Sequence, residues 1–160
     1  HFRSKANVVR ATIPANGRLT VVGDLHGQLQ DLLHIFKLNG LPYHDNAYVF
    51  NGDWVDRGRR SLAVVMIVFG FALLYPDAVH LNRGNHESTD VNSDTGYYRH
   101  CFLRECLETY DRGVYTAFSR AFAALPICAL VGGRVLVVHG GLPRRTMTLD
   151  EINQIQRYHM

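Results

Sequence analysis

The sequence is short of cross-links, of membrane-length apolar runs and of charge imbalance, and each shortage removes a class of protein. Three cysteines, Cys101, Cys106 and Cys128, do not make a disulfide framework and match no common zinc-ribbon spacing. They read as reduced packing residues, which points to a reducing compartment: the cytoplasm, or the nucleus as a second location. The longest apolar run, Leu62 to Tyr75, is interrupted by Gly70 and stops at Pro76. That is short of the roughly 20 residues a membrane span needs, so a buried helix is expected and no membrane span. No apolar signal-peptide core opens the chain, and a start at His1 rather than Met reads as a fragment. Net charge is a mild +3. No internal repeat, linker or low-complexity stretch appears.

What remains is ordinary globular composition, 47% hydrophobic and 19% charged over 160 residues, enough for one domain spanning 1–160 with a sizeable core. The informative count is nine histidines, because imidazole is the commonest transition-metal ligand.

Periodicity gives an α/β reading. Arg18–Val22 is a strand ending at Gly23-Asp24. Leu29, Leu32, Leu33 and Phe36 mark an amphipathic helix stopped by Asn39-Gly40. Ala47–Phe50 is a second strand, and Ser61 is placed to cap the long apolar helix to Tyr75. Ala78–Leu81 is a third strand, ending at Arg83-Gly84-Asn85. This alternation predicts parallel βαβ units. A polar loop from Ser88 to Gly96 and helical stretches near Tyr98–Tyr110 and Val114–Leu125 follow. Ile127–Val131 and Arg134–Val138, separated by Gly132-Gly133, predict a hairpin. Thr148 and Glu151 form a capping-box pair opening a last helix, Leu149 to about Tyr158.

Ligands in parallel α/β sheets bind outside the carboxyl ends of the strands. Here those ends carry polar residues beside glycine: Asp24 and His26 in "GDLHG", Asp53, Asp56 and Arg57 in "GDWVDRG", Asn85 and His86 in "RGNHE", His139 in "HGG". A single Gly-Asp after a strand is ordinary turn chemistry. Four such turns on one edge are not, since clustered polar groups gain nothing from packing alone. Two Asp, two His and an Asn suit manganese, iron or zinc better than calcium. A pair of ions about 3.5–4 Å apart would use the whole set, and such pairs cleave phosphate esters.

The motifs "GDLHGQ", "GDWVDRG", "RGNHE" and "HGGL", in that order, closely resemble the serine/threonine protein phosphatases of the phosphoprotein phosphatase family, within the calcineurin-like metallophosphoesterases. The likeness runs from about Leu19 to Gln156, and the connecting text is most similar to the type 5 and EF-hand-bearing phosphatases. The resemblance implies a β-sandwich flanked by helices (αββα), of which this chain holds the N-terminal portion. It implies dephosphorylation of phosphoserine and phosphothreonine in proteins, by direct attack of a hydroxide bound to two metal ions. Asp24 and His26 would hold the first metal, Asp53 would bridge, and Asn85 and His139 would hold the second. His86 would protonate the leaving oxygen, oriented by Asp56, while Arg57, with Asn85, would grip the phosphate. Arg suits that task because its planar fork binds oxygens in pairs.

The resemblance further implies a domain continuing past Met160, supplying another His ligand, a second phosphate-binding Arg and more strands. His159, at a helix end, is a poor substitute. The 160-residue chain alone is therefore expected to fill its second metal site incompletely and to turn over poorly. Thr95-Gly96-Tyr97 replaces the usual Tyr-Gly-Phe, and the stretch before Leu125-Pro126 is longer than usual. The rival readings are a nucleotide or dinucleoside-polyphosphate hydrolase of the same superfamily, or a non-catalytic binding scaffold. Arg57, Arg59, Arg60, Arg144 and Arg145 have no nucleic-acid motif around them, and an anionic phosphoprotein substrate accounts for them without nucleic acid. A regulatory domain or subunit is expected outside this chain.

Overall fold

In the computed structural model, residues 2–93, 96 and 99–158 are described. Thr95, Tyr97, Tyr98 and His159, each of which entered the sequence reading, lie outside them. The strands are β1 (Val8–Ala11), β2 (Arg18–Val22), β3 (Asn46–Phe50), β4 (Val79–Leu81), β5 (Cys128–Val131) and β6 (Val135–Val138). The helices are α1 (Leu29–Asn39), α2 (Ser61–Leu74), α3 (Thr89–Asn92), α4 (Phe102–Thr109), α5 (Arg112–Ala123) and α6 (Leu149–Asn153).

Two three-stranded sheets result, in the orders β2-β3-β4 and β1-β5-β6. The first is parallel throughout, as the βαβ reading predicts. In the second, β1 pairs with β5 in parallel and β5 with β6 as an antiparallel hairpin. Both hairpin glycines have positive φ, 57° at Gly132 and 70° at Gly133, the backbone that a two-residue primed turn requires. Alternation along β3 then sets the layers. Val49 faces Ala11, Ala129 and Val131 of the other sheet, while Tyr48 and Phe50 face the helices with Leu32, Phe36, Val64, Val65 and Val68. Val8, Cys128 and Leu130 point the other way, toward Leu149 and Ile152 of α6. The architecture is therefore the expected αββα sandwich, thin on the α6 side.

Several local details depart from the sequence reading. β1 was not expected; it is a strand because β5, over a hundred positions later, pairs with it. The helix at α4 is shorter than expected and α6 ends at Asn153. Ser61 does not cap α2: the N-cap is Arg60, without a side-chain cap bond. The carboxylate of Glu105, on α4, instead accepts the N–H groups of Ser61 at 2.9 Å and Leu62 at 3.0 Å. The Thr148–Glu151 capping box is formed as read.

Candidate metal centre and active site

Because β2, β3 and β4 run parallel, their carboxyl ends open on one edge, and the loops leaving them are sewn together by backbone bonds. The N–H groups of Leu25 and His26 both donate to the Asp53 carbonyl at 2.9 Å, and Gly27 N–H donates to the Trp54 carbonyl at 2.8 Å. The cost of this convergence is visible in the backbone. Among the described residues, the non-glycine positions with positive φ are His26 (41°), Asp53 (54°), Asp56 (68°) and Arg57 (65°). All four are residues singled out from the sequence, and strain of this kind persists where the surrounding structure enforces a function. Gly84 shows why glycine is needed here. A Cβ on it would stand 2.2 Å from Asp53 Oδ1 and 2.5 Å from the Asp53 amide.

The histidines are oriented alike. His26 Nδ1 donates to the Val55 carbonyl at 2.8 Å, and His139 Nδ1 to the Asn51 carbonyl at 2.7 Å. That leaves Nε2 of each as a lone pair aimed at the edge, the arrangement that fixes metal-binding imidazoles. His26 Nε2 is buried without a hydrogen-bond partner, 3.7 Å from Asp53 Oδ2 and 3.8 Å from Asp24 Oδ2. His139 Nε2 lies 3.4 Å from the same Asp53 oxygen and 3.0 Å from Asn85 Oδ1. Lone pairs converging at such distances repel unless a cation sits between them, so the donor set fits a metal. Two groups of ligand atoms emerge, His26–Asp53–His86 and Asp24–Asp53–His139, and Asp53 belongs to both. His86 in the first group was not expected as a ligand; its Nδ1 is already held by Asp56.

That contact is the shortest in the site: His86 Nδ1 to Asp56 Oδ2 is 2.6 Å, with both side chains buried. Asp56 Oδ1 accepts the Phe102 N–H at 2.7 Å. Burial pushes the Asp56 carboxyl above the usual carboxylate range, opposed by the bonds from His86 and Phe102. With Nδ1 donating to Asp56, His86 presents Nε2 outward, where the exposed Arg57 guanidinium reaches it at 3.5 Å. The cysteines take no part. All three are buried, and burial, with the Glu105 charge, pushes the Cys106 thiol up to about 12, so it stays protonated and unreactive.

Glu87 carries a structural role that the sequence reading did not give it. Fully buried below the loops, its carboxylate accepts N–H bonds from Asp53 (2.7 Å), Trp54 (2.9 Å) and Gly84 (2.9 Å). It thus locks the β3 loop to the β4 loop. Burial raises its carboxyl to about 7 against the pull of those amides. Asn82 does similar work between sheets, donating to Asn51 Oδ1 at 2.8 Å and to the Val137 carbonyl at 3.1 Å. The last residue of "RGNHE" was the available signal for Glu87; Asn82 offered none. Arg145 turns away to Glu151 at 2.8 Å.

The calcineurin-like phosphoesterase family profile matches residues 17–160. The chain belongs to this family. Serine/threonine-protein phosphatase 5 of Homo sapiens is 46% identical over 153 residues, covering 95% of this chain and 30% of that protein. Serine/threonine-protein phosphatase with EF-hands 2 of Mus musculus is 44% identical over 161 residues, 99% of this chain and 20% of the relative. Both subgroups named by the sequence reading are thus among the relatives. A solved serine/threonine phosphatase from Saccharomyces cerevisiae, described as similar to human phosphatase 5, superposes with a TM-score of 0.92 at 34% identity. The match covers 99% of this chain and 50% of that one. The chain therefore spans a third or less of the curated relatives' length and half of the solved structure.

Proposed function

We propose that the protein containing this chain removes phosphate from phosphoserine and phosphothreonine in other proteins. The observation that carries the reading is the meeting of two donor groups at one carboxylate, Asp53. The substrate class is supported by the names of the relatives, which are serine/threonine-protein phosphatases. Asp24, His26, Asp53, Asn85 and His139 would hold two ions drawn from manganese, iron and zinc. When bound, such ions lower the pKa of water and neutralise phosphoryl oxygens.

The chain's own residues then divide the remaining tasks. Arg57, with Asn85, holds phosphate oxygens beside the donor groups. As its guanidinium turns to the phosphate, it leaves His86 Nε2 for the seryl or threonyl oxygen. In an in-line displacement the oxygen of a water that has given up one proton to solvent forms its bond to phosphorus as the phosphorus–seryl oxygen bond breaks. A proton on His86 Nε2 passes to that leaving oxygen, and Asp56 stabilises and orients the imidazole throughout.

The test is a side-by-side assay of the full-length protein, with manganese supplied, on a phosphoserine peptide and on a dinucleoside polyphosphate. Faster turnover of the peptide is expected, with Asp53→Asn losing both activity and bound metal. Preferential cleavage of the dinucleotide would replace this reading with the nucleotide hydrolase.

A further inference from the structure

A cavity of about 570 Å³ adjoins the phosphate-holding residue, and Arg57, Arg59, Arg60, His100, Gln28 and Gln30 are among its lining residues. Among the described residues no carboxylate lines it. Arg57, Arg59 and Arg60 are exposed, whereas His100 is partly buried. Arg59 donates its Nε–H to His100 Nε2 at 3.3 Å, which holds the guanidinium through its inner nitrogen and leaves the two terminal nitrogens out of that bond. Among the described residues, no carboxylate pairs with Arg59 or Arg60 within salt-bridge distance, in contrast to Arg145 with Glu151. Glu105 and Glu108 stand on the other side, lining neighbouring cavities with Arg59 and Arg60, and the Glu105 oxygens are turned to the first N–H groups of α2. Cations of one sign gathered in a concave wall focus potential toward anions, and guanidinium forks suit carboxylate and phosphate oxygens alike.

We propose that this cavity is a subsite for an anionic side chain neighbouring the phosphorylated residue, so that Arg59 and Arg60 set a preference for acidic or multiply phosphorylated segments. The proposal rests on the phosphoprotein phosphatase reading for its orientation. Arg57 lines the cavity and also touches His86, so a segment whose phosphate is held by Arg57 passes its next residues over Arg59 and Arg60. The glutamines can share the same oxygens as neutral donors.

The experiment uses the full-length protein with manganese and matched phosphoserine peptides. Their flanks are Asp, a second phosphoserine, Asn or Lys. Asp and phosphoserine flanks are expected to raise kcat/KM about tenfold over Asn, as two solvent-facing ion pairs would. Lys flanks should fall below Asn. The preference should shrink between low and high salt and drop to about twofold or less in an R59S/R60S double variant that still cleaves the Asn-flanked peptide at the wild-type rate. A gain with phosphoserine but not Asp would assign the subsite to a second phosphate. Equal rates on all flanks, or a preference unchanged in the double variant, would overturn the proposal. Binding of fluorescent peptides by anisotropy separates it from the underlying reading. A protein that cleaves no peptide yet binds the Asp-flanked one tighter through Arg59 and Arg60 keeps the subsite and loses the activity. Tighter binding of an oligodeoxythymidylate than of any acidic peptide would sink the subsite in favour of nucleic acid.

Discussion

Replacing Glu105 should loosen the start of α2 although the residue lies on a different helix. Its carboxylate accepts two N–H groups, from Ser61 and Leu62, at 2.9 and 3.0 Å, and Ser61 is completely buried. In Glu105→Ala both amides lose their acceptor, at about 1–3 kcal/mol each when water cannot replace it. A favourable negative charge at a helix N-terminus, about 0.3–1 kcal/mol, goes with it. Glu105 is itself partly exposed, so some water enters, and a net loss of about 2–4 kcal/mol is expected. Glu105→Gln keeps one oxygen acceptor and should cost about half as much. Ser61→Ala is the control: its hydroxyl is buried without a partner, so the change should stay within about 0.5 kcal/mol of wild type, against about 1 kcal/mol for a true cap. Urea unfolding midpoints at unchanged m-value measure all three. A Glu105→Ala midpoint equal to wild type, or a Ser61→Ala loss exceeding it, would refute this account of how α2 begins. Arg57 lies four positions before Ser61, so the Glu105 variants should also weaken substrate binding more than the chemical step.

His80 should make stability depend on acid. It is buried, neither ring nitrogen makes a hydrogen bond of good geometry, and burial with the Lys5 charge, opposed by the Asp77 charge and backbone, lowers its pKa to about 4. Above pH 6.5 both folded and unfolded chains hold it neutral, so its contribution is intact. As pH falls from 6.5 toward 4 only the unfolded chain takes the proton, and up to about 3 kcal/mol is lost. His80→Leu should flatten that slope in urea titrations at pH 7 and pH 5; an unchanged slope would move the acid sensitivity elsewhere. His86→Ala should lower kcat on a phosphoserine peptide about 10²–10⁴-fold. It should cost far less on p-nitrophenyl phosphate, whose leaving group needs no proton. Equal losses on the two substrates would deny His86 the role of acid.

Much of the site was legible because its residues follow strands in short, glycine-bearing turns. Strand ends set where Asp24, Asp53 and Asn85 fall, and a parallel sheet brings those ends to one edge whatever the side chains beyond. β2 and the stop of α1 at Asn39-Gly40 were equally local, the stop enforced by Asn46 donating to the Asn39 carbonyl at 2.8 Å. The misses share the opposite property. α6 ends early because the carbonyls of Ile152, Asn153 and Ile155 are taken by the Asn7 side chain. Arg157 then folds back onto Asn7 Oδ1 at 2.7 Å. A capping box announces where that helix starts, but no local signal says that residue 7 will end it.

By itself the sequence determined the chemistry: which ligand atoms exist, the order in which they arrive, and the α/β alternation that delivers them. Tertiary structure alone decided how they are held. The pairing of β1 with β5, the Glu105 cap of α2 and the buried Glu87 carboxylate beneath the loops all join residues tens of positions apart. Periodicity and capping rules act within a few residues, whereas a buried amide accepts whichever oxygen folding brings to it. That is why the candidate ligand residues could be named in advance and their supports could not.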